Sequence, residues 1–303
     1  MHVFERGGEL LHLPRHESVF WFDPYVPRDG ITVLYGRPTI GKTAVAWQMA
    51  QAIQTGSTLW GLPTTRANVL FLELDMPMVL AQERWIDAEP PFSPEFSIIF
   101  EGASIDSFQL VSRVRDERHK EIAATLTALH EKLHYGVVFV DALREVVVGD
   151  INVSGIPRRV YDAFRTVFPG AAIVFIHHER KTFVSGFGPG DPLQAAAGSM
   201  EFMNHATVSL QFHRRGRETF LFHLKSQASA QFEPLPISLA PDGVHVYNRQ
   251  QERLLLVNKM IQDAPQGLSR REVDKYIGEK LGLSDRSVRL IRKGLLQEGR
   301  IRG

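Results

Sequence analysis

Residues Gly36-Arg37-Pro38-Thr39-Ile40-Gly41-Lys42-Thr43 form a complete GxxxxGKT, set between the apolar run ITVLYG and the alanine-rich stretch KTAVAWQMAQAIQTG. A strand that feeds such a loop and a helix that leaves it let backbone N–H groups wrap a chain of phosphates. Lys42 then reaches the β- and γ-phosphates, and the Thr43 hydroxyl ligates Mg2+. ATP and Mg2+ are the expected ligands. Asp141 closes GVVFVDA, where a carboxylate would hold Mg2+ through its water shell. VLFLELDMP carries Glu73 and Asp75, and IVFIHH ends in His177 and His178. Strand alternation would put Glu73 and Asp75 on one face and Leu70, Leu72 and Leu74 on the other. Two like charges on one face repel, so something nearby should reward them, against the plainer reading of a strand that merely ends with its acids solvated.

These residues need a frame that brings them together. ITVLYG (31–36), ANVLFLELD (67–75), YGVVFVDA (135–142) and AAIVFIHH (171–178) are near-continuous β-rich runs, as strands buried on both faces should be. Between them lie the stretch closed by Gly56 and two segments, 105–134 and 155–168, that read as wholly or partly helical. Strand and helix in alternation predict an α/β fold with a mainly parallel sheet. Ligands bind such sheets at the carboxyl ends of the strands, where Gly36, Asp75, Asp141 and His178 all fall. After residue 200, ATVSLQFHR, ETFLFHLKS and PISLAPDGVHVYN read as antiparallel strands that extend the sheet. Residues 1–30 read as an extended strap with turns at its prolines.

Charge divides the chain more sharply than pattern does. Residues 249–303 hold 13 Lys/Arg against 7 Asp/Glu, leaving 22 against 27 in the remaining residues. This asymmetry points to a nucleic-acid contact through the tail, against the plainer reading of a solvated basic face. In the tail, RQQERLLLVNKMIQDA, SRREVDKYIGEKLG and SDRSVRLIRKGLLQEGRIRG read as three helices and a short strand, with Ser269 and Glu272 as a capping box. The expected division is an ATPase domain at 1–248 and a small domain at 249–303. The chain of 303 residues contains no cysteine, which excludes disulfides and Cys-based zinc sites. No apolar run approaches a membrane span and MHVFERGGEL lacks a signal peptide's hydrophobic core, so a cytoplasmic location without membrane contact is expected.

The motifs together resemble the RecA-type ATPases, and within them the hexameric replicative helicases of the DnaB and plasmid RepA kind, over roughly residues 25–245. ELDMPMVLAQERW resembles the family's second-strand motif, with Asp75 at the catalytic acid and Arg84 at the later arginine. VDALREV resembles the plasmid helicases' metal-binding segment, with Asp141 and Arg144 in place, and IVFIHHERK their histidine motif, which makes His178 the sensor of the γ-phosphate. VSGFGPGDPLQAAAGSMEFMNHATVSLQF resembles the loop that faces DNA in the ring's channel; Gly186, Gly188 and Gly190 are its expected DNA contacts. The tail looks like a winged helix-turn-helix, whose last helix would bring Arg286, Arg289, Arg292 and Lys293 to duplex DNA.

Three departures from the family leave alternatives open. The resemblance puts a water-polarising acid at position 75, but aspartate is about 1.5 Å shorter than the glutamate usual there, a shift that costs on the order of a hundredfold in rate. Either Asp75 acts from an adjusted backbone or Glu73 takes part. FHLKSQ keeps Lys225 at the position of the basic finger that reaches a neighbouring subunit's nucleotide, whereas Gln227 stands where an arginine is usual; Arg214, Arg215 and Arg217 are substitutes. Loop 183–197 has no Arg or Lys, so its backbone amides would have to grip phosphates. The resemblance implies a homo-oligomer, a hexamer, that hydrolyses Mg-ATP and moves on single-stranded DNA. A non-motor ATPase acting as a DNA-binding switch or recombination mediator is the alternative, and a small-molecule kinase would leave the tail and the Gly-rich loop unexplained.

Overall fold

The computed structural model describes residues 19–86, 97–100, 117–147, 153, 155–178, 201–215, 218–227, 234–240, 243–246, 257, 259–261, 264, 269–281 and 288–289. The chain divides into two compact units, Met1–Pro234 with Leu239–His245 and Leu235–Ser238 with Val246–Gly303.

The first unit opens with β1 (Phe20–Phe22) and β2 (Val26–Pro27), a small antiparallel pair. Then follow β3 (Ile31–Gly36), α1 (Lys42–Thr55), the hairpin β4 (Thr58–Leu59) and β5 (Leu62–Pro63), β6 (Val69–Glu73), α2 (Met78–Ile86), β7 (Ser97–Phe100) and α3 (Glu117–Leu133). β8 (Val137–Asp141) leads through a 3-10 turn (Leu143–Val146) to α4 (Ile156–Val167), and β9 (Ala172–His178) precedes α5 (Glu201–His205). β10 (Val208–Arg215), β11 (Glu218–Ser226), β12 (Leu235–Ala240) and β13 (Gly243–Val246) follow in the chain, with Leu235–Ser238 and Val246 belonging to the second unit. Among the described residues the main sheet has the order β13-β12-β11-β10-β3-β9-β8-β6-β7. β3, β9, β8, β6 and β7 run parallel, so the expected α/β core with a mainly parallel sheet is what forms.

β10 joins the parallel and antiparallel parts of the sheet. β10 is parallel to β3 and antiparallel only to β11. The chain crosses from β9 through α5 before it enters β10, and such a crossover restores the direction of the preceding parallel strand.

The central strands are buried on both faces because helices cover both. On one face, Val45, Ala46, Met49 and Ala50 of α1 pack inward, and Trp47 meets Phe71 edge-on at 5.9 Å. Phe71 in turn stacks on Phe139 at 5.6 Å. On the other face, Leu70, Leu72, Val138, Val140 and Phe175 join Leu126 of α3 and Val160, Tyr161 and Phe164 of α4 in one core. Gly56, whose N–H bonds back to the Ile53 carbonyl at 3.3 Å, ends α1.

The second unit contains α6 (Arg270–Leu281), whose Val273 and Ile277 share a small apolar core with Val257 and Val288. Its start is the capping box read from sequence: Ser269 N–H donates to Glu272 Oε2 at 2.8 Å, and Ser269 Oγ lies 2.7 Å from the same oxygen.

Candidate nucleotide site

The loop after β3 is shaped by two glycines. A Cβ on Gly36 would stand 2.8 Å from Phe212 Cβ on the neighbouring β10, so only glycine lets the two strands approach there. Gly41 has φ 98°, a left-handed conformation that turns the chain into α1. Arg37, Pro38 and Thr39 are exposed, and Ile40 is buried and anchors the loop. Lys42 is buried and donates to the carbonyls of Gly36 at 3.1 Å and Arg37 at 2.8 Å, inside the curve of the loop. An ammonium held by neutral carbonyls at the start of α1 is ready to exchange them for phosphate oxygens.

Register brings the remaining groups to this edge. Gly36 pairs with His178, and Asp141 lies beside Ile176 on one side and Glu73 on the other. Thr43 Oγ1 donates to Asp141 Oδ2 at 2.5 Å. This hydroxyl–carboxylate pair at the head of a phosphate loop fits the hard-oxygen preference of Mg2+, which takes one or two carboxylates and completes its shell with phosphates and water. Among the described residues no group of three or more His, Cys, Asp or Glu side chains makes a cage that could hold a metal ion.

His178 connects the lysine to an acid. Its Nδ1 lies 3.5 Å from Lys42 Nζ, and its Nε2 lies 3.7 Å from Asp75 Oδ2, longer than a hydrogen bond. The His178 ring is the main cause that holds the Asp75 carboxyl below the ordinary range, ahead of partial burial, which opposes it, and of the Lys42 charge, which assists. Asp75 is thus an ionised carboxylate, half exposed, at the open edge.

The two acids of VLFLELDMP differ in burial. β6 ends at Glu73, so alternation stops before Asp75; the Leu74 N–H turns to the Asp141 carbonyl at 2.5 Å. Asp75 reaches the solvent edge, whereas Glu73 is 1% exposed, with no hydrogen-bond partner for either oxygen. Burial, and then the Asp141 charge, push the Glu73 carboxyl up; the backbone amides of Asp75 and Met76 pull it the other way without closing hydrogen bonds. Asp141 is also pushed up, by burial first, against the Thr43 hydrogen bond.

Lys225 stands elsewhere. It pairs with Ser209, which lies beside Val33, three positions along β3 from Gly36 and toward the strand's other end. Its ammonium donates to the carbonyls of Met203 at 3.3 Å and Ala206 at 2.9 Å and to that of Asn204, closing the end of α5, and burial lowers its pKa. No sequence signal marked this contact, because α5 is too short to show a helical period. Arg214 is exposed beyond the level of Gly36, toward the β10–β11 turn. Arg289 is exposed beside buried Val288. The Arg84 side chain and residues Arg217, Gly186, Gly188, Gly190, Arg286, Arg292 and Lys293 lie outside the described residues.

Among the described residues no helix is long and apolar enough to cross a membrane. No curated protein matches the chain. The KaiC-like protein PH0186 from hyperthermophilic archaea, Pyrococcus horikoshii OT3, is similar in structure with a TM-score of 0.50 at 13% identity, covering 75% of this chain and 93% of that one; at such identity the likeness is one of fold. The AAA domain family matches residues 12–183. With more than half its length matched, the chain belongs to the AAA domain family, and its core has a RecA-like fold.

Proposed function

We propose that the chain hydrolyses Mg-ATP and couples the reaction to movement on DNA, as a ring-shaped hexameric replicative helicase of plasmid or phage type. The observation that carries the hydrolytic part is the Lys42–His178–Asp75 line beside the Thr43–Asp141 pair. Lys42 trades its carbonyl partners for the β- and γ-phosphates. Asp75, ionised and half exposed, takes the proton of a water aimed at the γ-phosphorus. His178, between the two, gains or loses contacts as the γ-phosphate comes and goes. Mg2+, when bound, neutralises charge on the β- and γ-oxygens.

The motor part is supported by the resemblance of ELDMPMVLAQERW, VDALREV and IVFIHHERK to the helicase motifs and by the positive tail. The placement of Lys225 fits as well. About three residues of strand, roughly 10 Å, separate it from the level of its own P-loop along the strands, which suits action on a neighbour's nucleotide. Strand displacement on a forked DNA, with mass measured with and without ATP and single-stranded DNA, tests the reading: ATP-dependent unwinding by a hexamer is expected. ATPase activity without displacement at any fork polarity favours the second reading, a DNA-binding switch, for which the absence of Arg and Lys from 183–197 speaks.

A further inference from the structure

We propose that Glu73 is a positioning residue of the magnesium site: its carboxylate holds a water of the ion that Thr43 and Asp141 bind, and so sets how tightly the site takes a divalent cation. This rests on the nucleotide-site reading above. Glu73 and Asp141 are register partners on adjacent parallel strands, about 4.8 Å apart at the backbone, so their side chains leave the sheet on the same face. That is the face of α1, since Asp141 meets Thr43 there. Two residues earlier on the same strands lie Phe71 and Phe139, stacked at 5.6 Å, and Trp47 of α1 closes over Phe71. The aromatic layer floors the pair, so the polar groups that bear on Glu73 are Asp141, Asp75 and the backbone amides of Asp75 and Met76.

Glu73 is 1% exposed, and both its oxygens lack a partner. The charges that bear on it, Asp141 and Asp75, are both negative. A buried carboxyl without a donor loses its hydration with nothing in return, and such orphans in a folded protein mark places completed by a water or an ion. Mg2+ supplies both, because it keeps several of its waters when bound through carboxylates. Waters on the Glu73 side of an ion held by Thr43 and Asp141 would donate to the orphaned oxygens. Glu73 would then act beside Asp75 rather than in place of it.

The test uses Mn2+ as a spectroscopic stand-in, titrated by electron paramagnetic resonance into the full chain saturated with a non-hydrolysable ATP analogue. Glu73→Gln should weaken Mn2+ binding by about 10- to 100-fold, the usual cost of losing an outer-shell partner, with metal-free analogue affinity unchanged. Glu73→Asp should fall between. Asp141→Asn serves as the reference. If Asp141→Asn weakens Mn2+ and Glu73→Gln does not, the proposal is overturned and the site reading stands. Unchanged Mn2+ affinity in both overturns the site reading itself. Should Glu73→Gln not fold, Glu73→Asp decides alone: a loss of Mn2+ affinity supports the proposal and an unchanged value overturns it.

Discussion

Lys42 opens α1 and Lys225 lies on β11, and both donate to backbone carbonyls, yet their surroundings differ. Lys225 closes the end of α5 on three carbonyls, with no carboxylate among those contacts. Lys42 has two carbonyls of its own loop, a histidine at 3.5 Å and, beyond it, Asp75, while Thr43, next in the chain, binds Asp141. One lysine is built into the fold. The other belongs to a set of opposed charges in which a like-charged pair, Glu73 and Asp141, is buried side by side. On the proposed reading, a group of that kind is completed by a ligand that brings phosphate and a cation together.

The sharpest way to break this contrast is to remove each lysine in turn. Lys42→Ala should lower phosphate release by about 100- to 1,000-fold, since a fixed donor to developing charge is lost in a water-poor site, with little change in melting temperature. Turnover at the original rate would remove the P-loop from the mechanism. Lys225→Ala should do the reverse in the isolated subunit, costing about 1–2 kcal/mol of stability as partly buried carbonyls lose a charged donor, read by denaturant unfolding. If Lys225 also serves a neighbour, mixing Lys225→Ala with Lys42→Ala should restore part of the ATPase activity lost in each. Mixed oligomers without recovery would leave Lys225 a structural cation.

A smaller effect separates the buried acids from the exposed one. Burial raises the Glu73 and Asp141 carboxyls, so the folded state binds protons there that the unfolded chain has released. Their contribution is therefore fully present below the ordinary carboxylate range and is lost as pH rises toward about 8, where Glu73 ionises. Asp75 runs the other way: its lowered carboxyl adds stability above the ordinary range and loses it as pH falls in acid. Unfolding in the absence of divalent cations should show stability falling from pH 5.5 to 8.5, and Mg2+ with an ATP analogue should flatten that fall. A metal-free stability that rises over the interval would contradict the buried-pair description.

The P-loop was legible because its information is local: spacing, a strand before, a helix after. β3, β6, β8 and β9 were legible for a related reason, since burial on both faces writes itself as a continuous apolar run. The difference in burial between Glu73 and Asp75 was not, because period-two reasoning holds only while the strand continues, and β6 ends at Glu73. That β10 also pairs parallel with β3 was not legible in ATVSLQFHR, since a strand's own pattern does not name its neighbours. Lys225 could be placed on a strand, but its carbonyl partners come from a different element, and nothing in FHLKSQ points to them.

The account stands most directly on Asp75. In Asp75→Asn, ATP binding measured by fluorescence of a labelled analogue should stay within a few-fold of the original. Single-turnover hydrolysis should fall by at least about 100-fold, the scale of a lost general base. If Asp75→Asn instead hydrolyses ATP at near the original rate while Glu73→Gln abolishes hydrolysis with Mn2+ still bound, the water is directed from the buried acid and the assignment of the two carboxylates is reversed.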